Sequence, residues 1–158
     1  MAAELKQLYL NLLKQAVIGG LYQESEPDVI DNLEFCATQA LEVPGDFMEC
    51  GGTMAVFLRG LLKVHGDTTR RLWVAGGSTA EDFRRYGLLD ARVRFCGLRA
   101  PIRSLALLRL VGDAGLEQLY PKVSPGGFVI LEGAPWAADP CAVRVNEQVV
   151  FWRKPEGA

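Results

Sequence analysis

The chain has 158 residues, of which 49% are hydrophobic and 23% are charged, and its formal net charge at pH 7 is −2. This small negative charge argues against nucleic acid or an anionic membrane as a main partner, and no apolar run approaches the roughly 20 residues of a membrane helix. The length suits one domain with a real core. We expect a single domain over 1–158, with a helical segment to residue 42, an α/β core over 43–153 and a polar tail over 154–158.

The cysteines and the histidine limit the kinds of site that the chain can build. Cys36, Cys50, Cys96 and Cys141 are widely separated and form no C-x-x-C motif. Because no charged-then-apolar signal segment opens the sequence, we expect reduced thiols in a cytoplasmic protein. His65 is the only histidine, so sites that need two or more histidines are excluded within one chain.

Two helices are predicted before the first strand. Residues 4–17 have helical periodicity and end before Gly19-Gly20. The apolar face predicted for this helix consists of Leu5, Leu8, Leu12, Leu13 and Ala16. A capping box of Ser25 and Asp28 begins the next helix. Its predicted inward residues are Ile30, Leu33, Ala37, Ala40 and Leu41.

A strand, a glycine turn and a helix follow, and the rest of the chain repeats this alternation. Asp46 to Cys50 is predicted as a buried central strand that turns at Gly51-Gly52 into a helix ending near His65. Further strands are predicted over 71–75, 92–96 at an edge, 104–111 near the centre and 127–132, with short helices to Tyr86, after a Ser78 and Glu81 cap, and to Tyr120. A hairpin of 143–145 and 149–153 closes the fold. The pattern predicts a doubly wound α/β fold, mainly parallel, with helices on both faces and a C-terminal antiparallel hairpin.

Three predicted strands finish on a carboxylate. Glu49 ends the first strand, Asp113 follows the fourth and Glu132 ends the fifth. If these strands are neighbours, the acids face one crevice, because ligands of open α/β sheets bind outside the carboxyl ends of the strands. Convergent carboxylates could hold a metal or act as acid and base. The alternative is that each one is a solvated acid at a strand end.

The glycine turn and its surroundings allow further interpretations. Backbone N–H groups at Gly51 and Gly52 could approach an anion or a nucleotide, although G-G is also an ordinary tight turn and neither common nucleotide-binding fingerprint is present. Cys50 could have a lowered pKa near a helix N-terminus, but a buried structural cysteine is more common. Trp136 could line the mouth of the cleft or pack in the core.

Several longer blocks of the chain are distinctive. They are V-P-G-D-F-M-E-C-G, M-A-V-F-L-R-G-L-L-K-V-H-G, R-L-W-V-A, F-R-R-Y-G-L-L-D-A-R-V-R-F, L-A-L-L-R-L-V-G-D and L-Y-P-K-V-S-P-G-G-F-V-I-L-E. Together with the N-terminal L-K-Q-L-Y-L-N-L-L-K and D-N-L-E-F-C, they resemble, in order, the macrocin O-methyltransferase family. The resemblance implies a class I methyltransferase fold that modifies sugars on antibiotics with S-adenosylmethionine and Mg²⁺.

The departures from the family pattern lie at the positions that carry its chemistry. The family has a glycine loop, E-T-G-V-W-R-G-G, where residues 49–53 of this chain are shorter. It follows its second strand with A-D-S-F, whose acid belongs to the cofactor site, whereas residues 75–77 contain no acid. Its D-G-D motif contributes a metal ligand and a base, of which Asp113 alone is present here. A pair of metal-binding aspartates in the family is replaced by the single Glu132.

The resemblance and the strand-end pattern together give the candidate site. Asp113, Glu132 and Glu49 are the candidate catalytic residues. Glu49, Gly51 and Gly52 would contact S-adenosylmethionine if it binds, and Asp113 and Glu132 would hold the metal.

Cys50 and Trp136 would line the cleft of this site. Family segments are also absent after Tyr22, Gly77, Cys96 and Asp113, where the family builds its lid and its substrate loops. We therefore expect no cofactor and a role in natural-product biosynthesis, either in acid/base cyclisation, elimination or isomerisation, or in binding a bulky apolar intermediate.

Two alternatives remain open. One is a functioning O-methyltransferase that uses S-adenosylmethionine and Mg²⁺. The other is a non-catalytic oligomerisation or regulatory subunit. Under each hypothesis we expect a homo-oligomer, with the N-terminal helix at its interface, because trimmed loops should leave apolar surface exposed.

Overall fold

The computed structural model of the protein describes residues 2–17, 27–112, 115–133 and 142–156. The helices are α1 (Ala3–Ala16), α2 (Pro27–Ala40), α3 (Ala55–Val64), α4 (Ala80–Arg85) and α5 (Leu116–Leu119), with a 3-10 turn at Tyr120–Lys122. The strands are β1 (Asp46–Cys50), β2 (Leu72–Ala75), β3 (Val93–Phe95), β4 (Leu105–Val111), β5 (Val123–Glu132), β6 (Val143–Arg144) and β7 (Val149–Arg153). Within these ranges no helix is long and apolar enough to cross a membrane.

One seven-stranded sheet organises the fold, in the order β3-β2-β1-β4-β5-β7-β6. The pairs from β3 to β5 are parallel, and β7 joins β5 and β6 antiparallel. The predicted fold class is confirmed, including the central first strand, the edge position of β3 and the terminal hairpin. Because β1, β4 and β5 are neighbours, their carboxyl ends meet at one rim of the sheet.

The two faces of the sheet are covered differently. On the first face, α1 to α4 pack over an apolar cluster that includes Phe47, Leu107 and Ile130. On the second face, the alternate strand residues, such as Met48 and Leu108, pack under short irregular segments and α5. Among the described helices, α5 is therefore the one that covers the second face.

The predicted apolar face of α1 is largely wrong. Leu10 and Leu13 are buried, whereas the other leucines of the helix are more than half exposed. These exposed residues are Leu5, Leu8 and Leu12. The helix has apolar residues on two faces, and its close approach to α3 at Gly60 selects the face that carries Leu13, whose side chain occupies the space of a Cβ at that glycine.

Two further predictions need correction. The capping box of α4 is formed by Thr79 and Asp82 rather than by Ser78 and Glu81, and the Ser78 hydroxyl is directed to a carbonyl in the turn after β1. The fifth strand begins at Val123, before the predicted residue 127, because the ladder with β4 resumes across an irregularity at 124–127. The predicted helix stop at Gly19-Gly20 and the Ser25 cap lie outside the described residues.

Candidate functional site

A buried ion network connects the carboxyl ends of the three neighbouring strands. Arg109 of β4 places Nη1 2.6 Å from Oε2 of Glu49 and Nη2 3.1 Å from Oε2 of Glu132. Register aligns Glu49 with Arg109, and alternation along the strands turns all three side chains to the first face. The exposed fractions are 0% for Glu49, 1% for Arg109 and 8% for Glu132. Two of the three predicted carboxylates therefore do converge, but an arginine lies between them.

The Glu49 carboxylate is also committed to the start of α3. Both of its oxygens accept the backbone N–H of Met54, at 3.1 and 3.2 Å, and Met54 itself provides no side-chain cap to the helix. Glu49 thus satisfies a donor that the helix leaves without an intrahelical partner. Burial raises the pKa of Glu49, and the Arg109 guanidinium opposes that shift. Glu49 thus has no exposed surface, and its carboxylate is bound by the start of α3 and by Arg109. Its predicted catalytic and cofactor-binding roles stay predictions.

The turns that follow β1 and β2 pack directly against each other. A Cβ at Gly77 would overlap the carbonyl oxygen of Gly52, and a Cβ at Gly52 would overlap the Arg109 guanidinium. The Ser78 hydroxyl donates to the same Gly52 oxygen at 3.4 Å. The N–H of Gly51, predicted as an anion contact, donates to the carbonyl of Ala75 at 2.9 Å. These contacts hold the two turns against each other at Gly52 and Gly77, so the described residues leave no space for S-adenosylmethionine between those two glycines.

The predicted metal site is also not formed by the described residues. No group of three His, Cys, Asp or Glu side chains there could hold a metal ion. The Arg109 guanidinium lies 3.1 Å from Glu132, and its charge opposes a second cation at that carboxylate. The described residues therefore do not fit a magnesium centre. Asp113 and Trp136, which were predicted in the site, lie outside the described residues, so their roles stay predictions.

Cys50 is a buried structural cysteine. It is 7% exposed and packs in the apolar cluster of the second face. Burial raises its pKa to about 12, so its sulfur is a protonated thiol at neutral pH. The interpretation as an activated thiol near a helix N-terminus is not supported, because the cost of burying a thiolate exceeds any help from the helix.

Sequence reasoning missed Arg109, although the sequence contained a signal for it. This arginine interrupts the otherwise apolar run L-A-L-L-R-L-V of β4. A charge in a central parallel strand has to be buried, and buried charges are paired. The acids of the adjacent strands were the available partners.

Comparison with known proteins places this geometry in a family. The sequence model of the TylF macrocin-O-methyltransferase family matches residues 28–79 and 76–151. The 8-demethyl-8-(2,3-dimethoxy-alpha-L-rhamnosyl)-tetracenomycin-C 4'-O-methyltransferase of Streptomyces olivaceus is 31% identical, with 93% of this chain and 86% of the relative covered. The mycinamicin III 3''-O-methyltransferase of Micromonospora griseorubida is 28% identical, with coverages of 96% and 90%.

The structural comparison agrees with the sequence comparison. The O-methyltransferase NovP superposes with a TM-score of 0.80 at 24% identity, with 96% of this chain and 100% of NovP covered, which shows the fold. The two sequence alignments span 227 and 234 positions, more than the 158 residues of this chain, so both relatives have segments with no counterpart here. From the family match over most of its length and from these relatives, the chain belongs to the TylF macrocin-O-methyltransferase family and has the class I methyltransferase fold.

Proposed function

We propose that this protein acts in antibiotic biosynthesis on a bulky apolar intermediate, without transferring a methyl group from S-adenosylmethionine. The biosynthetic context comes from the relatives, whose names describe O-methyltransferases of a tetracenomycin and a mycinamicin. One observation supports the proposal that the protein works without S-adenosylmethionine. Glu49, the acid at the end of β1, is fully buried between the N-terminus of α3 and Arg109.

A cofactor would have to compete with contacts that the protein makes with itself. The shortened turn after β1 leaves α3 beginning directly above Glu49, and the Gly52 carbonyl contacts Gly77 of the next turn. The resemblance to the family implies an acid after the second strand for the cofactor, and residues 75–77 here are Ala-Gly-Gly. The missing acid and the contact between the two turns are independent observations, and both support the proposal that S-adenosylmethionine does not bind.

Asp113 is the acid that we propose for any catalytic role of this site. It follows Gly112, whose N–H donates to the main-chain carbonyl of Glu132 at 2.6 Å. The chain therefore leaves β4 beside the end of β5. With Glu49 committed to structure, the acid/base pair of the proposal is Asp113 with Glu132, acting in cyclisation, elimination or isomerisation. Substrate binding without catalysis is the other form of the proposal.

The first experiment is a calorimetric titration of the purified protein with S-adenosylmethionine, with and without Mg²⁺. We expect no binding heat up to about 1 mM ligand, a concentration that reveals any Kd in the micromolar range. Micromolar binding would overturn the proposal. In that event the same titration of the Glu49→Gln variant would show whether the cofactor uses the Glu49 carboxylate. Weaker binding by the variant would mean that it does, and so that binding disrupts the buried ion network.

A functioning O-methyltransferase is the second candidate, favoured by the 31% identity to the Streptomyces olivaceus enzyme. In that case Asp113→Asn would abolish a methyl transfer that depends on Mg²⁺. Under the cofactor-free catalytic proposal, the same variant would stop turnover of a pathway intermediate with no response to Mg²⁺. A role limited to binding or regulation predicts that Asp113→Asn changes neither turnover nor fold.

A further inference from the structure

An open groove lies along the β3 edge of the sheet, away from the ion network. Its volume is about 710 Å³, and its lining includes Trp73, Val93, Arg94, Cys96, Arg99 and Pro101. Trp73 and Cys96 also belong to, or pack against, the apolar cluster of the second face. The groove therefore opens mainly on the face that carries few helices.

The short crossover from β3 to β4 explains why this groove exists. β3 ends at Phe95 and β4 begins at Leu105, so nine residues connect two parallel strands that have β2 and β1 between them. Such a connection ordinarily needs about a dozen residues or more and contains a helix that packs on the sheet. Residues 96–104 contain no helix. The groove is therefore the place where a crossover helix would pack.

The protein also exposes an apolar side of helix α1. Leu5, Leu8 and Leu12 of α1, which we call the leucine stripe, are 57%, 54% and 57% exposed. Their spacing places them on one side of the helix, over a length of about 10 Å at 1.5 Å per residue. The opposite side of α1 packs on α3, on the first face of the sheet. The stripe thus points away from its own core, and the groove of the same molecule opens mainly on the other face.

The charges around the leucine stripe are negative or neutral. Glu4 lies one turn before Leu8 on the same side of α1. Lys6 lies off that side, toward the end of α3, where its charge acts on His65. Lys14 is directed to α2, where it pairs with Asp31 at 3.0 Å and with Glu34 at 2.6 Å. The cation of the last turn of α1 is therefore neutralised within the molecule, and the carboxylate remains beside the stripe.

The charges around the groove have the opposite sign. Arg94 and Arg99 are exposed and form no ion pair with any residue that the structure describes. A net charge of −2 for the whole chain makes this a local concentration of positive charge. A helix with an apolar stripe flanked by an acid complements an apolar groove flanked by two arginines.

We propose that the leucine stripe of one copy packs in the groove of a second copy, in the place of the missing crossover helix. When a two-fold axis relates the two copies, the stripe of each copy packs in the groove of the other, and the assembly closes as a dimer. Two reciprocal contacts also bury about twice the surface of one, which brings the pair closer to the area of a stable interface. This inference is independent of the cofactor question.

Complementary variants test this arrangement in sedimentation-velocity experiments. We expect a dimer of the 17.3 kDa chain. Leu8→Lys damages the stripe. Ala100 also lines the groove, so Ala100→Trp fills it, and each variant should weaken dimerisation at least tenfold. Arg94→Glu is a second groove variant at an exposed position, in case the tryptophan disturbs the fold. Val143→Lys is the matched control, because Val143 is also about half exposed (51%) but lies on β6, at the edge of the sheet opposite to the groove. It should leave the dimer intact.

Mixing the variants gives the decisive result. Leu8→Lys retains a groove and Ala100→Trp retains a stripe, so an equimolar mixture should form a 1:1 complex through one intact contact, weaker than the wild-type dimer but tighter than the dimer of either variant alone. A monomeric wild type would overturn the proposal. So would a dimer broken by Leu8→Lys but unaffected by both groove variants, since the stripe would then pair with itself. A dimer that is unaffected by Leu8→Lys would also overturn the proposal, because the stripe would then not be part of the interface.

Discussion

Arg109→Met tests whether the ion network is a structural part of the fold. The substitution keeps most of the side-chain volume and removes the guanidinium from two carboxylates that are 0% and 8% exposed. Removing one partner of a buried ion pair costs about 3–5 kcal/mol, because it leaves an uncompensated buried charge. That is a large part of the 5–15 kcal/mol that stabilises a typical domain. We expect a loss of this size in the free energy of unfolding, measured by urea titration with circular dichroism.

Arg84→Met provides the matched control. Arg84 pairs with Glu81 at 3.3 Å, with side chains 61% and 71% exposed, so the same substitution should cost at most about 0.5 kcal/mol. The double variant Glu49→Gln with Arg109→Met removes both charges and should recover about 1 kcal/mol or more of the loss, since these residues are in contact. Equal costs for Arg109→Met and Arg84→Met would refute the argument that the network is buried and structural.

Three further predictions follow from local contacts. Gly60→Ala should lower the melting temperature, because its Cβ would overlap the Leu13 side chain and an overpacking cost of about 1–3 kcal/mol exceeds the gain in helix propensity. Leu13→Ala should rescue part of the loss. A Gly60→Ala variant more stable than the wild type would contradict the packing of α1 on α3. Burial opposes a low pKa at Asp67, but the N–H and guanidinium of Arg70 hold that pKa below its ordinary value. The stabilisation from Asp67 is therefore present above about pH 4 and is lost as the pH falls through the folded-state pKa. In Asp67→Asn the free energy of unfolding should fall less steeply with decreasing pH than in the wild type, and equal slopes would refute this. Burial raises the pKa of Cys50 to about 12. The rate of Cys50 alkylation at pH 8, followed by peptide mapping, should therefore be at least about tenfold slower in folded than in urea-unfolded protein. Equal rates would show that the thiol is accessible.

Sequence pattern predicted the strands and the edge position of the third one, because a short apolar run bounded by glycine or proline turns is typical of a buried parallel strand. β1 has the predicted bounds, Asp46–Cys50. The same reasoning failed on α1, since leucines occur on two sides of that helix. Which side packs depends on a close approach to Gly60 of α3, and a contact between separate elements cannot be deduced from the spacing within one of them.

The candidate site was predicted in part for a similar reason. Strand ends predicted that Glu49 and Glu132 converge on the condition that their strands are neighbours, and the sheet order β1-β4-β5 meets that condition. The register that sets Arg109 opposite Glu49 is a property of paired strands, so the sequence of each strand alone does not contain it. A general argument was nevertheless available, because an arginine within a buried strand requires acidic partners nearby. Applied to β4, it would have predicted that Glu49 and Glu132 share Arg109 as an ion-pair partner.

Shortened loops have opposite consequences at two places in this fold. After β3, the short crossover leaves a groove beside Trp73. After β1, the short turn closes on itself, with Gly52 against Gly77 and α3 starting over Glu49. A cofactor that bound only after Glu49 was released would have to disrupt the buried network. If that costs about 3 kcal/mol, the Kd rises by about two orders of magnitude. We therefore expect the closed turn to weaken cofactor binding even when the backbone opens, and the titration with S-adenosylmethionine tests this expectation.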